Sequence, residues 1–155
     1  DNISNDLENP SDDEAQKNEN VEKNDKEHFV KSNAAITGNK AEEIFESEIS
    51  LEMGYSVKNM THLIGLGYDF KSIKEEIFFE IKGFKGDFGD FRLTSTEWEV
   101  AKQKKDKYIL VLISNVFDKN HSSKAIRNPY EKYKNQIERK ITNPSYYFTL
   151  KKQFI

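Results

Sequence analysis

Cysteine is absent from the 155 residues, which excludes disulfide scaffolds, thiolate zinc sites, iron–sulfur clusters and cysteine nucleophiles together. The three histidines, His28, His62 and His121, are far apart and lack ligand spacing, so neither a histidine metal site nor histidine catalysis is expected. No apolar run approaches the roughly 20 residues that cross a bilayer, and the start has no basic-then-apolar export segment. The chain therefore reads as soluble and cytoplasmic, with no membrane partner. A phosphate loop is missing too: Gly65-Leu66-Gly67 has neither the third glycine nor a following Lys-Ser/Thr, which argues against nucleotide hydrolysis.

Apolar residues are scarce at 35%, against 33% charged, and the charge is unevenly placed. Residues 1–36 hold ten Asp and Glu against four Lys; residues 37–101 hold thirteen against seven; residues 102–155 hold four against thirteen Lys and Arg. Within residues 1 to about 30 almost the only sizeable aliphatics are Ile3, Leu7 and Val21, too few to offset the entropy of ordering the segment. It reads as a disordered acidic linker or tail, leaving one domain over 37–155 with a basic extension at 117–155. Asp1 in place of methionine suggests a piece of a longer protein. The basic last third is either a solvated surface or a nucleic-acid footprint.

Ala41, Ile44, Phe45, Ile49 and Met53 recur at helical spacing before Gly54, predicting a first helix over about 39–53. Short strands follow around Tyr55–Met60 and Tyr68–Ser72. Glu75-Glu76 then turns the chain into Ile77–Lys82, forming a hairpin. Glycines at 83, 86 and 89 mark a loop. Thr94-Ser95-Thr96-Glu97 has the form of a capping box and opens a second helix ending near Lys107, with Trp98 and Ala101 on its core face. Tyr108–Ile113 is apolar throughout, as expected of a central strand covered on both faces. A helical stretch around Tyr130–Lys140 and a last edge strand at Tyr146–Leu150 complete the reading. The order α-β-β-β-α-β predicts an α/β layered fold, with antiparallel middle strands and a helical crossover to the last central strand.

Alternation along a strand puts Glu80 and Lys82 on one face and Phe79 and Ile81 on the other. Asp69 on the adjoining strand can approach Glu80, and Glu42, in line with Phe45 and Ile49, can look toward the sheet. Three carboxylates and an ammonium converging from separate elements suit a hard divalent cation. Asp69 and Glu80 supply oxygens for Mg2+, which keeps several waters and accepts phosphate oxygens; Mn2+ is the expected substitute. Lys82 beside these anions stays protonated and can stabilise an attacking hydroxide and developing charge. These are parts for phosphodiester hydrolysis, although Glu-x-Lys alone is a common strand salt bridge. Lys102, Lys104 and Lys105 are candidates for contact with a phosphate backbone. Capping is the simpler role for Thr94 and Glu97, and core packing the simpler one for Trp98 and for Tyr130, Tyr133, Tyr146 and Tyr147.

Further motifs align in order: Gly38-x-x-Ala41-Glu42, Gly67-Tyr68-Asp69-Phe70-x-Ser72, Phe79-Glu80-Ile81-Lys82-Gly83, Leu93-Thr94-x-x-Glu97-Trp98-x-x-Ala101 and Tyr108-Ile109-Leu110. With them, Gly38 to about Val116 resembles the domain named for the plant protein NO VEIN, a branch of the PD-(D/E)XK nuclease superfamily. The resemblance implies a restriction-endonuclease-like core: a central mixed sheet of four to five strands flanked by helices. It also implies a metal-and-water centre of Asp69, Glu80 and Lys82, with Glu42 as an auxiliary acid. Members are often appended to larger proteins with ATPase or helicase parts, including restriction and defence systems. The expectation is a Mg-dependent DNA endonuclease module working with an ATPase, helicase or recognition domain, and as a homodimer if both strands are cut. The alternative is an inactive module of the same fold that binds nucleic acid or docks a protein.

Overall fold

The computed structural model describes residues 33–142 and 145–155, with side-chain surroundings for 33–136 and 149–155. The chain divides into two units, 1–35 and Ile36–Ile155. Every element below belongs to the second, and the acidic leader before residue 33 lies outside the described residues. In chain order the elements are α1 (residues 36–52), β1 (Val57–Asn59), β2 (Phe70–Ser72), β3 (Phe78–Gly83), β4 (Phe91–Thr94), α2 (Ser95–Lys104), β5 (Tyr108–Ser114), β6 (Ser122–Arg127), α3 (Pro129–Tyr133), β7 (Ile137–Thr142) and β8 (Ser145–Leu150).

The apolar run Tyr108–Ile113 forms the centre of the sheet. All seven residues of β5 are buried, flanked by β3 in parallel register from Phe78↔Tyr108 to Gly83↔Ile113 and by β6 antiparallel. The sheet order is β1-β2-β3-β5-β6. Because β3 and β5 are parallel, the chain between them must cross over the sheet, and α2 makes that crossing. Helices cover both faces. Ala41, Ile44, Phe45 and Ile49 of α1 pack on Phe70, Phe79, Ile81 and the odd-numbered residues of β5, with the Phe45 ring 5.0 Å from Phe70 and 5.1 Å from Phe79. On the other face Leu110 and Leu112 meet Trp98 of α2 and Tyr133 of α3, and Phe78 and Tyr108 meet Ala101. The architecture is α/β with a mixed five-stranded sheet between helices, compatible with a restriction-endonuclease-like core.

Several expectations need correction. The first helix is already formed at Ile36 and passes through Gly38. It widens into a π-helical turn at Phe45–Ile49, flanked by hydroxyl back-bonds from Ser47 to the Glu43 carbonyl and from Ser50 to that of Glu46, contacts that bend helices. The helix expected over Tyr130–Lys140 stops at Tyr133. Ile137–Thr142 is instead a strand paired with β8, strand pairing here overriding a weak helical propensity. Tyr146–Leu150 is not an edge: β8 is the middle strand of a second, three-stranded sheet ordered β4-β8-β7. The capping box is present in full, and Trp98, Ala101 and Tyr133 are buried as core residues.

Close packing at Gly83 holds α1 against the end of β3. A Cβ there would lie 2.6 Å from the Ala41 Cβ and 2.9 Å from the Thr37 carbonyl oxygen, a clash with backbone that cannot swing away. Gly83→Ala is therefore expected to cost about 1–3 kcal/mol, whereas Gly86→Ala, with nothing within 4 Å, should stay within about 0.5 kcal/mol of the parent. Urea titration of the two variants checks this; equal midpoints would contradict it.

Candidate active site

Strands β2 and β3 pair over only two positions, Phe70↔Phe79 and Lys71↔Phe78, and then part. Their separation leaves the β2-side edge of β3 unpaired from Glu80 onward, and a backbone N–H there needs a partner. Asp69 supplies it. Its own N–H donates to the Phe79 carbonyl at 2.8 Å, and its Oδ2 accepts the Ile81 N–H at 2.8 Å. The divergence opens a cleft of about 330 Å³ lined by the loop at 61–67, by Tyr68, Asp69 and Glu80, and by Thr94–Glu97 at the start of α2. Gly67, at φ +73°, forms part of that wall: a Cβ there would meet the Thr96 carbonyl oxygen at 2.9 Å. The Tyr108 hydroxyl donates to the Gly67 carbonyl at 2.8 Å and fixes the wall from below.

Glu80 and Lys82 share a face as the alternation requires, and they meet: Lys82 Nζ lies 2.6 Å from Glu80 Oε1. The same ammonium lies 3.0 Å from Glu97 Oε2, an oxygen that also accepts the Thr94 N–H at 3.0 Å. Glu97 thus caps its helix and binds the strand lysine with one atom. Reading Thr94-x-x-Glu97 as a capping box was correct but incomplete. The available signal was position, since a box opening the crossover helix stands at the same end of the sheet as the β3 carboxylate. Tyr108 carried no signal for its contact with the loop.

Glu80 is 3% exposed, and burial pushes its carboxyl well above the usual range; Lys82 opposes the shift, while Glu97 and Asp69 add to it. Asp69 is also raised, chiefly by burial, against the Ile81 hydrogen bond and Lys82. Burial works against the charge on Lys82, yet Glu80 and Glu97 more than offset it and hold the ammonium above the ordinary lysine range. Glu42 is half-buried on α1 and raised by burial and then by Asp69, with Lys82 lowering it. All four residues expected to do chemistry therefore share one electrostatic neighbourhood. Tyr108 is raised well above its usual range by burial and by the same three acids, Glu80, Glu97 and Asp69.

The donor set fits a hard cation. Asp69 gives Oδ2 to Ile81 and Glu80 gives Oε1 to Lys82; the second oxygen of each has no hydrogen-bond partner among the described residues. A single ammonium, that of Lys82, faces Asp69, Glu80 and Glu97, and it lowers Asp69 and Glu80 against the burial that raises them. Among the described residues no three His, Cys, Asp or Glu stand ready as a complete metal cage. Two carboxylates with water filling the remaining positions is the arrangement Mg2+ prefers.

The candidate DNA-contacting lysines fall elsewhere. Lys102 Nζ lies 5.6 Å from the Tyr130 ring centre, Lys104 Nζ lies 4.4 Å from the Phe78 ring centre and 3.7 Å from Glu76, and Lys105 is exposed at the C-terminal cap of α2. They lie at the far end of the helix, roughly 10 Å along its axis from Glu97. His62 is exposed, and His121 lies 3.2 Å from Glu48; His28 and the side chains of Tyr146 and Tyr147 lie outside the described residues.

Lys82→Met would leave Glu80 and Glu97 without their cation. We expect a loss of about 3–5 kcal/mol at pH 8, smaller near pH 4. A carboxyl whose folded-state pKa is raised favours the fold while protonated and costs progressively more as the pH climbs above its ordinary value of 4.5. Lys82 itself stays charged throughout that window. Urea titrations at the two pH values measure this, and a difference independent of pH would contradict it.

Among the described residues no helix is long and apolar enough to cross a membrane. Comparison with curated proteins and with solved structures returns no match. A family model does match, over residues 34–127, which contain α1, the whole five-stranded sheet, the crossover helix and every residue of the carboxylate cleft. On that match, spanning more than half its length, the chain belongs to the family described as protein NO VEIN, C-terminal.

Proposed function

We propose that the domain is a Mg-dependent DNA endonuclease of the PD-(D/E)XK type. The observation carrying this reading is that Asp69 and Glu80 each keep one carboxylate oxygen without a hydrogen-bond partner beside a cleft, with the Lys82 ammonium 2.6 Å from Glu80. In this reading Asp69 and Glu80 hold the cation. Mg2+, or Mn2+ in its place, supplies Lewis acidity that makes water more acidic and offsets charge building on phosphorus. Lys82 stabilises the attacking hydroxide and the negative charge that develops as the phosphorus–oxygen bond breaks. Glu97 fixes the direction of the ammonium, and Glu42, whose own acidity Asp69 shifts, is an auxiliary acid. The reading extends to a module of a larger restriction or defence protein, with an ATPase, helicase or recognition part supplying the target and a second copy supplying the cut on the opposite strand.

A second reading has its own support. Glu80 is almost fully buried and bonded to Lys82, so the pair also serves as an internal strut, as it would in an inactive module that binds nucleic acid or docks a protein.

Plasmid and linear DNA incubated with Mg2+ or Mn2+ separate the two. Cleavage is expected with metal and not with EDTA. Asp69→Asn and Glu80→Gln, which keep acceptors for the Ile81 N–H and Lys82, should lower the rate by about 100-fold or more. Mn2+ should raise the Tm of the parent more at pH 8 than at pH 5, since protonated carboxyls do not bind it, and this shift should vanish in both variants. Undiminished cleavage in the folded variants would eliminate the assignment, and a parent that neither cuts DNA nor responds to metal favours the inactive module.

A further inference from the structure

Lys58 and Lys71 stand directly opposite one another in the pairing of β1 with β2. Like charges at such a position destabilise a sheet, and neither lysine, nor Lys74 nearby, has an ion-pair partner among the described residues. Protection of an exposed edge accounts for Lys58, since β1 is the edge strand. It does not account for Lys71 on the inner strand. The three lysines line a second cleft of about 460 Å³ together with Met60, Glu75 and Glu76. Glu76 is already taken by Lys104 and Lys107, so five lysines face two glutamates and the region is strongly positive.

Its position matters as much as its sign. Lys71 Nζ lies 5.6 Å from the Phe78 ring centre, and Lys104 approaches the same ring from α2. Phe78 and Glu80 share a face of β3, roughly 7 Å apart along the strand. The two clefts also meet at one backbone bond, from the Met60 N–H to the Asp69 carbonyl at 2.8 Å. A polyanion crossing the lysines is thereby led to the carboxylates.

We propose that Lys58, Lys71 and Lys74 hold the phosphodiester backbone of a DNA strand whose reacting phosphate lies at Asp69 and Glu80. The inference rests on the nuclease reading for where the reacting phosphate sits, and not for the binding itself.

Fluorescence anisotropy of a short fluorescein-labelled DNA duplex, titrated with the full chain in EDTA across a range of salt concentrations, tests it without any cleavage. The double variant Lys58→Ala/Lys71→Ala should bind roughly 10- to 60-fold more weakly near 0.1 M salt and reduce the log–log salt slope by about 2. Lys102→Ala/Lys105→Ala should change binding less. Lys58→Glu turns a repulsive pair into an attractive one, so affinity should fall while Tm holds or rises, an outcome that loss of folding cannot imitate. A folded double variant with parental affinity and slope overturns the proposal, as does a parent that does not bind the duplex. Cleavage by the parent combined with parental binding by the double variant would sink this track and leave the nuclease reading standing. Lysine-dependent binding by a parent that never cleaves DNA would do the reverse.

Discussion

Lys82 stands between two carboxylates that the fold has withdrawn from water, and the rest of the molecule is arranged so that this is tolerable. An isolated buried carboxylate costs several kcal/mol, and Glu80 at 3% exposure could not be held ionised without a cation at 2.6 Å. Supplying that cation from the same strand is cheap, because residues two apart on a strand share a face. Fixing its direction requires a third group from another element, and Glu97 comes from the crossover helix to provide it. The parallel β3/β5 pairing, the crossing helix and its capping box thus meet at one ammonium.

This arrangement leaves the site unbalanced in a useful way. Lys82 is shared rather than privately paired, Asp69 spends only one oxygen on the backbone, and the acidities of Glu42, Asp69 and Glu80 are all shifted in the direction that burial and the neighbouring acids dictate. Of these three carboxyls, Asp69 and Glu80 line the cleft beside Glu97, and perturbed carboxyls in a cleft are the pattern by which functional sites are sought. The short β2/β3 pairing is part of the same design. Had the hairpin continued, Ile81 would have found a strand partner and Asp69 would have had no reason to turn toward it.

Much of this was legible in the chain because it follows from local periodicity. The all-apolar run of β5, the Glu80–Lys82 alternation, the stop at Gly54 and the Thr94–Glu97 box depend on near neighbours. What was hidden depends on distant pairing. Nothing in Tyr130–Lys140 announces that its second half will join β8, and nothing in Tyr146–Leu150 says that strands will flank it on both sides. At the site, Glu97 was hidden by an adequate local explanation, since a capping glutamate satisfied by its own helix gives no hint of a second bond to a strand. Lys102, Lys104 and Lys105 lie toward the C-terminal end of α2, whereas the lysines that face one another across paired strands are on β1 and β2, with Lys74 in the turn after them. Register across two strands produced that set, and register is not readable from either strand alone.

Crystals of the domain soaked in Mn2+ and measured at the manganese absorption edge address the central claim most directly. The account predicts one anomalous peak within coordination distance of the free oxygens of Asp69 and Glu80, with Lys82 still bonded to Glu97. A peak placed elsewhere, or no peak while both carboxylates keep their present contacts, would contradict it.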